Sequence, residues 1–380
     1  MSKRVILFGP LPPPYGGVSV LLSTLFSHLK HTSVYVWALF GESSADKRIT
    51  RFNHRRLGIL KVLGKQGYKS RIVDFTHFHL EYPNPILLPI WLTAKSLLRF
   101  EWVKHVCDGS LPERYSNFSA GQKRRFYKAI AAIDEFIVVN ETLREWLLQE
   151  AHVNQQITVI PSVLNIPDEL QTTVLPDDLE TVLREFGKHQ KRVCSIGTFI
   201  SDYGFEHVAL AIEKLRKETG DDIGLLLLDG TFATDQNYRN QVLASRDWIT
   251  VLTNIPNPHI YKILPRCDLF VRAFSAESYG ISRVEAIWCG VPVIAVNVGE
   301  TRGMLTYNFG DVETLSQLMS NVLSGQLNLN LQEWSDLYRA EADANLSSFI
   351  HTVRIDCPAN LANKKIETQN SEIPTTPETI

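Results

Sequence analysis

Residues 268–296 read DLFVRAFSAESYGISRVEAIWCGVPVIAV, and their pattern decides the fold class. Leu269, Phe270 and Val271 form a short apolar run, as a strand buried on both faces requires. Residues 281–289 space their apolar side chains for a helix. Gly290 and Pro292 then break it before a second run at 291–296. Strand, helix and strand within 29 residues make a βαβ unit with parallel strands.

The same alternation extends outward in both directions. Towards the N-terminus, strands are expected at 192–196, 224–228 and 249–252, with helices at 205–217 and 258–264. Beyond it, helices are expected at 312–323 and 334–353. The first half repeats the pattern. Strands are expected at 5–8, 34–39, 73–80, 103–107, 135–139 and 157–160, and helices at 18–29 and 142–148. In the strand at 73–80, His77 and His79 are two apart and share a face. The expectation is an α/β protein of two Rossmann-like, doubly wound domains facing across a cleft, where ligands collect in such sheets. The boundaries read 1–165, a linker at 166–190 containing one helix, 191–355, and a disordered polar tail at 356–380.

Composition excludes other classes. With 44% apolar and 21% charged residues, the chain is neither fibrous nor wholly disordered. The apolar run at 5–8 is too short for a signal peptide, so a cytoplasmic location is expected and the sequons at Asn117, Asn140 and Asn345 carry no weight. Five widely spaced cysteines, none in a Cys-x-x-Cys pair, read as free thiols rather than a disulfide frame or a metal site. Residues 85–103 are apolar but interrupted by Pro89, Lys95, Arg99 and Glu101, which argues against a membrane span. An amphipathic helix there packs on the core or faces a membrane. Charge is uneven. Residues 1–150 hold 21 Lys and Arg against 12 Asp and Glu, net +9, and the remainder nets −11. Residues 47–71 carry nine basic side chains and no acid. This stretch is either a solvated face or contact with an anionic membrane or acceptor, and no nucleic-acid motif accompanies it.

Two stretches carry chemistry. Gly16-Gly17 lies between a Pro-rich turn and a helix, where glycine permits close approach and the helix offers N–H groups to an anion. A turn into a helix accounts for it equally. The stronger stretch is Glu277-Ser278-Tyr279-Gly280-Ile281-Ser282-Arg283-Val284-Glu285. Glu277 falls just past a strand end and Glu285 inside the following helix. Amides of Tyr279, Gly280 and Ile281 at that helix N-terminus suit a diphosphate, and a nearby carboxylate accepts bonds from sugar or ribose hydroxyls. The plain structural alternative is a capping box, Ser282-x-x-Glu285.

With these stretches the chain resembles the retaining GT-B glycosyltransferases whose mark is Glu-x7-Glu in the C-terminal domain. The resemblance runs from about residue 3 to 350. It includes Gly16-Gly17, Asp74 to His79, Ile133 to Asn140, Val159 to Val163, Ser195-Ile196-Gly197, Gly290 to Ala295 and Gly299-Glu300-Thr301. It implies that Glu285 holds the donor ribose, that Glu277 contacts the transferred sugar, and that Gly16 and Gly17 lie near the donor diphosphate and acceptor. It implies no metal or other cofactor.

Three departures stand out. Thr198 or Phe199, and Tyr203, occupy positions where the family often has Arg and Lys for the diphosphate, so Arg272 and Arg283 are the substitutes expected. The fourth N-terminal strand, which often ends in His in that family, reaches Cys107 and Asp108, with His105 earlier. His79 is then the alternative imidazole, and Asp108 a group assisting the acceptor. The expected activity is transfer of a sugar from a nucleotide-sugar donor to a glycan or lipid-linked acceptor in cell-surface polysaccharide synthesis, with peripheral contact to an anionic membrane. The alternatives are a nucleotide-sugar epimerase or hydrolase on the same architecture, and a non-catalytic scaffold in polysaccharide assembly.

Overall fold

The computed structural model describes residues 4–29, 33–41, 45–51, 67–163, 173–230, 233–327 and 329–356. They form two compact units, one up to residue 163 with the stretch from Glu341 to 356, the other from 173 to Ala340.

The first unit is a seven-stranded parallel sheet. Its strands are β1 (Val5–Gly9), β2 (Val34–Ala38), β3 (Ile49–Arg51), β4 (Arg71–Asp74), β5 (Glu101–Val106), β6 (Glu135–Val138) and β7 (Gln156–Val159). They run in the order β3-β2-β1-β4-β5-β6-β7. Val5 pairs with Val34 on one side and Arg71 on the other. The helices are α1 (Gly17–His28), α2 (Leu87–Leu98), α3 (Leu111–Ser116), α4 (Ala120–Ala132) and α5 (Glu141–Gln149). Ile6, Phe8, Trp37, Ile72, Trp102 and Phe136 from the strands meet Leu88 and Trp91 from α2 in one core.

The second unit holds α6 (Asp177–Phe186) and a six-stranded parallel sheet of β8 (Lys191–Gly197), β9 (Ile223–Asp229), β10 (Ile249–Thr253), β11 (Leu269–Arg272), β12 (Val293–Val296) and β13 (Leu305–Tyr307). The order is β10-β9-β8-β11-β12-β13. Its helices are α7 (Phe205–Thr219), α8 (Gln236–Leu243), α9 (Asn257–Ile263), α10 (Ile281–Trp288) and α11 (Val312–Leu323). β9 is buried at every residue, as a central parallel strand must be. Helix α12 (Leu331–Val353) begins in this unit and ends in the first. Its apolar periodicity is continuous, so the change of unit within it leaves no mark in the sequence.

Both sheets follow the same winding and reverse direction beside their first strand, at β1/β4 and at β8/β11. In such sheets the crevice at the carboxyl ends of those strands is where ligands bind. The two α/β domains expected from the sequence are present, and the tail at 357–380 lies outside the described residues. One strand is shorter than expected. β4 stops at Asp74, whose Oδ1 accepts the Thr76 N–H at 2.8 Å, an Asx turn that diverts the chain. His77 and His79 therefore lie in a loop and share no strand face. Helix α4 was not expected from its polar composition. Its signal was Ser119-x-x-Gln122, which forms a capping box.

Candidate functional site

At the β8/β11 crevice, Arg272 ends its strand and donates from Nε to Glu277 Oε2 at 2.7 Å. It also donates to the Ile196 carbonyl on the neighbouring strand. Its guanidinium lies 5.0 Å from the Tyr203 ring and 5.2 Å from Phe274, rings themselves stacked at 4.3 Å. Tyr203 occupies the position where the resemblance led one to expect Lys, and it needs Gly197: a Cβ there would lie 2.2 Å from its ring. Burial alone would raise the Glu277 carboxyl, but the Arg272 guanidinium, with Arg283 behind it, holds it below the ordinary value. Glu277 is thus an anion at neutral pH. Gly299 lets its loop close up, since a Cβ there would meet the Glu277 carbonyl at 2.8 Å.

Helix α10 begins at Gly280, whose φ of +82° is a left-handed conformation. Because Gly280 is the N-cap, Ser282 is already inside the helix, and the capping box Ser282-x-x-Glu285 does not form. Tyr279 buries its ring, so its contribution to a ligand would be its backbone. Arg283 does not fit the diphosphate role expected of it. It is fully buried, and its terminal nitrogens donate to the carbonyls of Val298 (2.6 Å), Glu300 (3.1 Å) and Val296 (3.4 Å). It holds the chain after β12 under the start of α10. Glu285, four residues past the start of its helix, is 3% exposed. Its Oε1 accepts from Asn257 Nδ2 at 2.9 Å and Tyr261 Oη at 2.7 Å, both on α9. Burial raises its carboxyl above the ordinary value, and these two donors offset only part of that.

In the first unit, Gly16 is extended and α1 starts at Gly17. Ser19 Oγ accepts the Gly16 N–H at 3.0 Å and donates to the Pro14 carbonyl at 2.9 Å, which ties down the turn. A Cβ at Gly17 would meet no atom within 4 Å, so packing does not demand the second glycine.

The β4 and β5 ends hold a cluster that sequence reasoning missed. Glu81 and Lys104 have no exposed side-chain surface and lie 3.5 Å apart. Lys104 also donates to the Thr76 carbonyl. His77 Nδ1 stands 3.6 Å from Glu81. Against the cost of burial, Lys104 and His77 hold the Glu81 carboxyl at about 2. The one sequence signal was a lysine directly after Trp102 and Val103 in a strand. Two of the expected site residues lie beside this cluster. His79 is boxed by Trp91 and Trp102, and burial pushes its imidazole down to about 4. It is a neutral core side chain. Asp108 accepts the Ser110 N–H (2.9 Å) and Oγ (2.6 Å) on the same oxygen and lies 3.5 Å from Arg114, so it organises the start of α3.

The architecture has known counterparts. Anabaena HepE in complex with UDP-glucose superposes with a TM-score of 0.68 over 92% of this chain and 98% of that one, at 18% identity. Sucrose-phosphate synthase of Thermosynechococcus elongatus gives 0.65 over 92% and 96%, at 14% identity. The fold is that of the GT-B glycosyltransferases. Within this GT-B chain, residues 183–327 match the family described as Glycosyl transferases group 1. That span contains Arg272, Glu277, Gly280 and Glu285. A 2-deoxystreptamine glucosyltransferase of Streptomyces kanamyceticus is 25% identical over 177 residues, 44% of this chain. The match spans 45% of that relative, less than half its length.

Proposed function

We propose that this chain transfers a sugar from a nucleotide-sugar donor to a glycan or lipid-linked acceptor, with retention of configuration and as a step in cell-surface polysaccharide synthesis. The observation that carries the reading is the pair of buried carboxylates at the β8/β11 switch point, one held by Arg272 and one by α9. The donor diphosphate lies against the amides of Tyr279, Gly280 and Ile281, with Arg272 as the cation. Glu285 takes the ribose hydroxyls and Glu277 the transferred sugar. Gly16 and Gly17 leave room for the acceptor at the start of α1. A UDP-hexose is the first donor to try, since UDP-glucose is bound in the HepE structure.

The departing nucleoside diphosphate gains negative charge as the sugar becomes oxocarbenium-like. Amides and a guanidinium fixed in advance stabilise that charge without reorganising. Glu277, as an anion, stabilises the developing positive charge on the sugar. The acceptor works at an anionic membrane on the cytoplasmic side. The exposed apolar side chains of α2 and the basic first unit support that contact.

Two substitutions test the reading. Glu285→Gln removes an interaction felt equally in ground and transition states, so the donor KM rises with kcat nearly unchanged. Glu277→Gln removes one that grows in the transition state, so kcat falls. A thermal-shift screen with UDP-, GDP- and ADP-sugars identifies the donor first, because a ligand at a hundred times its Kd stabilises by about 2.7 kcal/mol. A chain that no nucleotide sugar stabilises, or two variants with wild-type kinetics, would sink the proposal.

A further inference from the structure

Helix α9 precedes β11 and has no part in the expected site, yet it is the element that grips Glu285. Asn257 and Tyr261 are four residues apart and so lie on one side of this helix. Both donate to the same oxygen, Oε1, at 2.9 and 2.7 Å. A carboxylate has about four lone-pair positions. Two neutral donors on Oε1 occupy that oxygen and fix the plane of the group. Among the described residues no hydrogen bond is made to Oε2. Its lone pairs are left for the adjacent hydroxyls of a ribose, which are donors of matching chemistry.

We infer that Asn257 and Tyr261 are positioning residues that make Glu285 a reader of the ribose, so that preference for ribonucleotides over deoxyribonucleotides runs through α9. The inference rests on the proposed donor-binding role of Glu285. It accounts for a costly arrangement, a carboxylate buried with neutral partners. Burial favours the protonated form, which has a proton of its own to place and accepts less well from two hydroxyls. The donors from α9 oppose this. The other titratable groups facing Glu285 stay out of the way. The Tyr261 hydroxyl is pushed up by burial and by Glu285 itself, and so remains a donor. The Cys289 thiol is pushed up to about 12 by burial, with Glu285 adding to the shift, and stays protonated.

The test measures binding of UDP, 2′-deoxy-UDP and 3′-deoxy-UDP to the full chain by calorimetry. It compares wild type with Tyr261→Phe, Asn257→Ala and Glu285→Gln. Wild type should prefer UDP over at least one deoxy analogue, and Glu285→Gln should abolish that preference. Tyr261→Phe and Asn257→Ala should each weaken UDP about three- to tenfold, since a neutral hydrogen bond has roughly that worth. Affinity for the disfavoured analogue should stay within about twofold, so that the preference shrinks. In Tyr261→Phe the loss of UDP affinity on acidification should also begin at higher pH, because removing a donor raises the Glu285 carboxyl further. Equal weakening of all three nucleotides, with the preference kept, would show a merely structural role and overturn the inference. If Glu285→Gln keeps the preference, the assigned role of Glu285 falls. If Glu285→Gln loses it while both α9 variants keep it, only the positioning role falls. Should one variant fail to fold, the other carries the comparison.

Discussion

Lys104 sits in the middle of a strand with no exposed surface, and its countercharge is Glu81, equally buried. A pair of this kind contributes little net stability, but removing one member leaves a charge in a place without water, at a cost of about 3–5 kcal/mol. Lys104→Met should therefore lower the melting temperature sharply. Adding Glu81→Gln should restore most of the loss, and a double-mutant cycle by denaturant unfolding reads the difference. Acid should weaken the same region. The imidazoles of His79 and His105 are pushed by burial from 6.5 to about 4 and about 3. The unfolded chain therefore takes up these protons first. Their contribution is intact above 6.5 and is lost as pH falls towards 4 and 3. Glu81, at about 2 instead of 4.5, adds a loss that begins below 4.5. Melting temperatures followed from pH 7 to 3 should fall throughout. His105 stacks on Phe75 at 4.6 Å, so His105→Phe should flatten the upper part of that curve. An unchanged slope would mean that this imidazole is not the group titrating.

At the scale of an element, α2 shows what amphipathic spacing leaves open. Leu88, Trp91 and Ala94 are buried against the sheet. The other side is apolar too, with Ile86 at its N-terminal end 69% exposed, Ile90 41% and Leu97 72%. Residues 82–100 contain no acid, and Arg99, just past the helix, is exposed. The sequence alone offered core or membrane for this helix, and one face does pack on the core. The outer face bears the proposed membrane contact. Much of the basic stretch at 47–71 lies outside the described residues, but Lys69 is hydrogen-bonded to the end of α2 through its backbone. The chain should co-sediment with vesicles containing anionic lipid and much less with neutral ones, and high salt should release it. Ile90→Glu with Leu97→Glu should abolish the binding while solution donor affinity stays at the wild-type level. Equal partitioning to both vesicle types would remove the membrane from the proposal.

For the whole molecule, α12 is the element that no local pattern assigns. Tyr338 donates to the Arg302 carbonyl in the second unit. Later in the same helix, Phe349 approaches Phe75 and the Thr352 carbonyl accepts from Arg71 at 2.9 Å, both in the first unit. Arg354, just beyond it, pairs with Glu135. Phe349, Ile350 and Val353 are buried, and each such side chain is worth about 1.5–3 kcal/mol. A chain ended at Ala340 should therefore lose stability in its first unit although it keeps every strand of it. Calorimetry should show the first-unit transition lowered and the second-unit transition little changed. If both transitions stay in place, the stretch from Glu341 is not part of the first unit's core.

The sequence by itself determined the two parallel α/β sheets, because buried parallel strands need continuous apolar runs and helices between them need their own spacing. It also marked Glu277, Gly280 and Glu285 as candidates, since a strand end, a glycine and a helix start form a local pattern. Only the tertiary structure decided what each charge does. Arg272 and Arg283 look alike in sequence, yet one reaches a carboxylate at the crevice and the other closes on three carbonyls. His79 is buried between two tryptophans and Asp108 accepts from Ser110, contacts that position in the chain alone did not give. Glu81 with Lys104, and Asn257 and Tyr261 with Glu285, come from residues 23 to 28 apart whose meeting depends on how strands and helices pack. Hydrogen bonds and ion pairs act over a few ångströms, so which groups meet is settled only once the sheets have brought distant segments together.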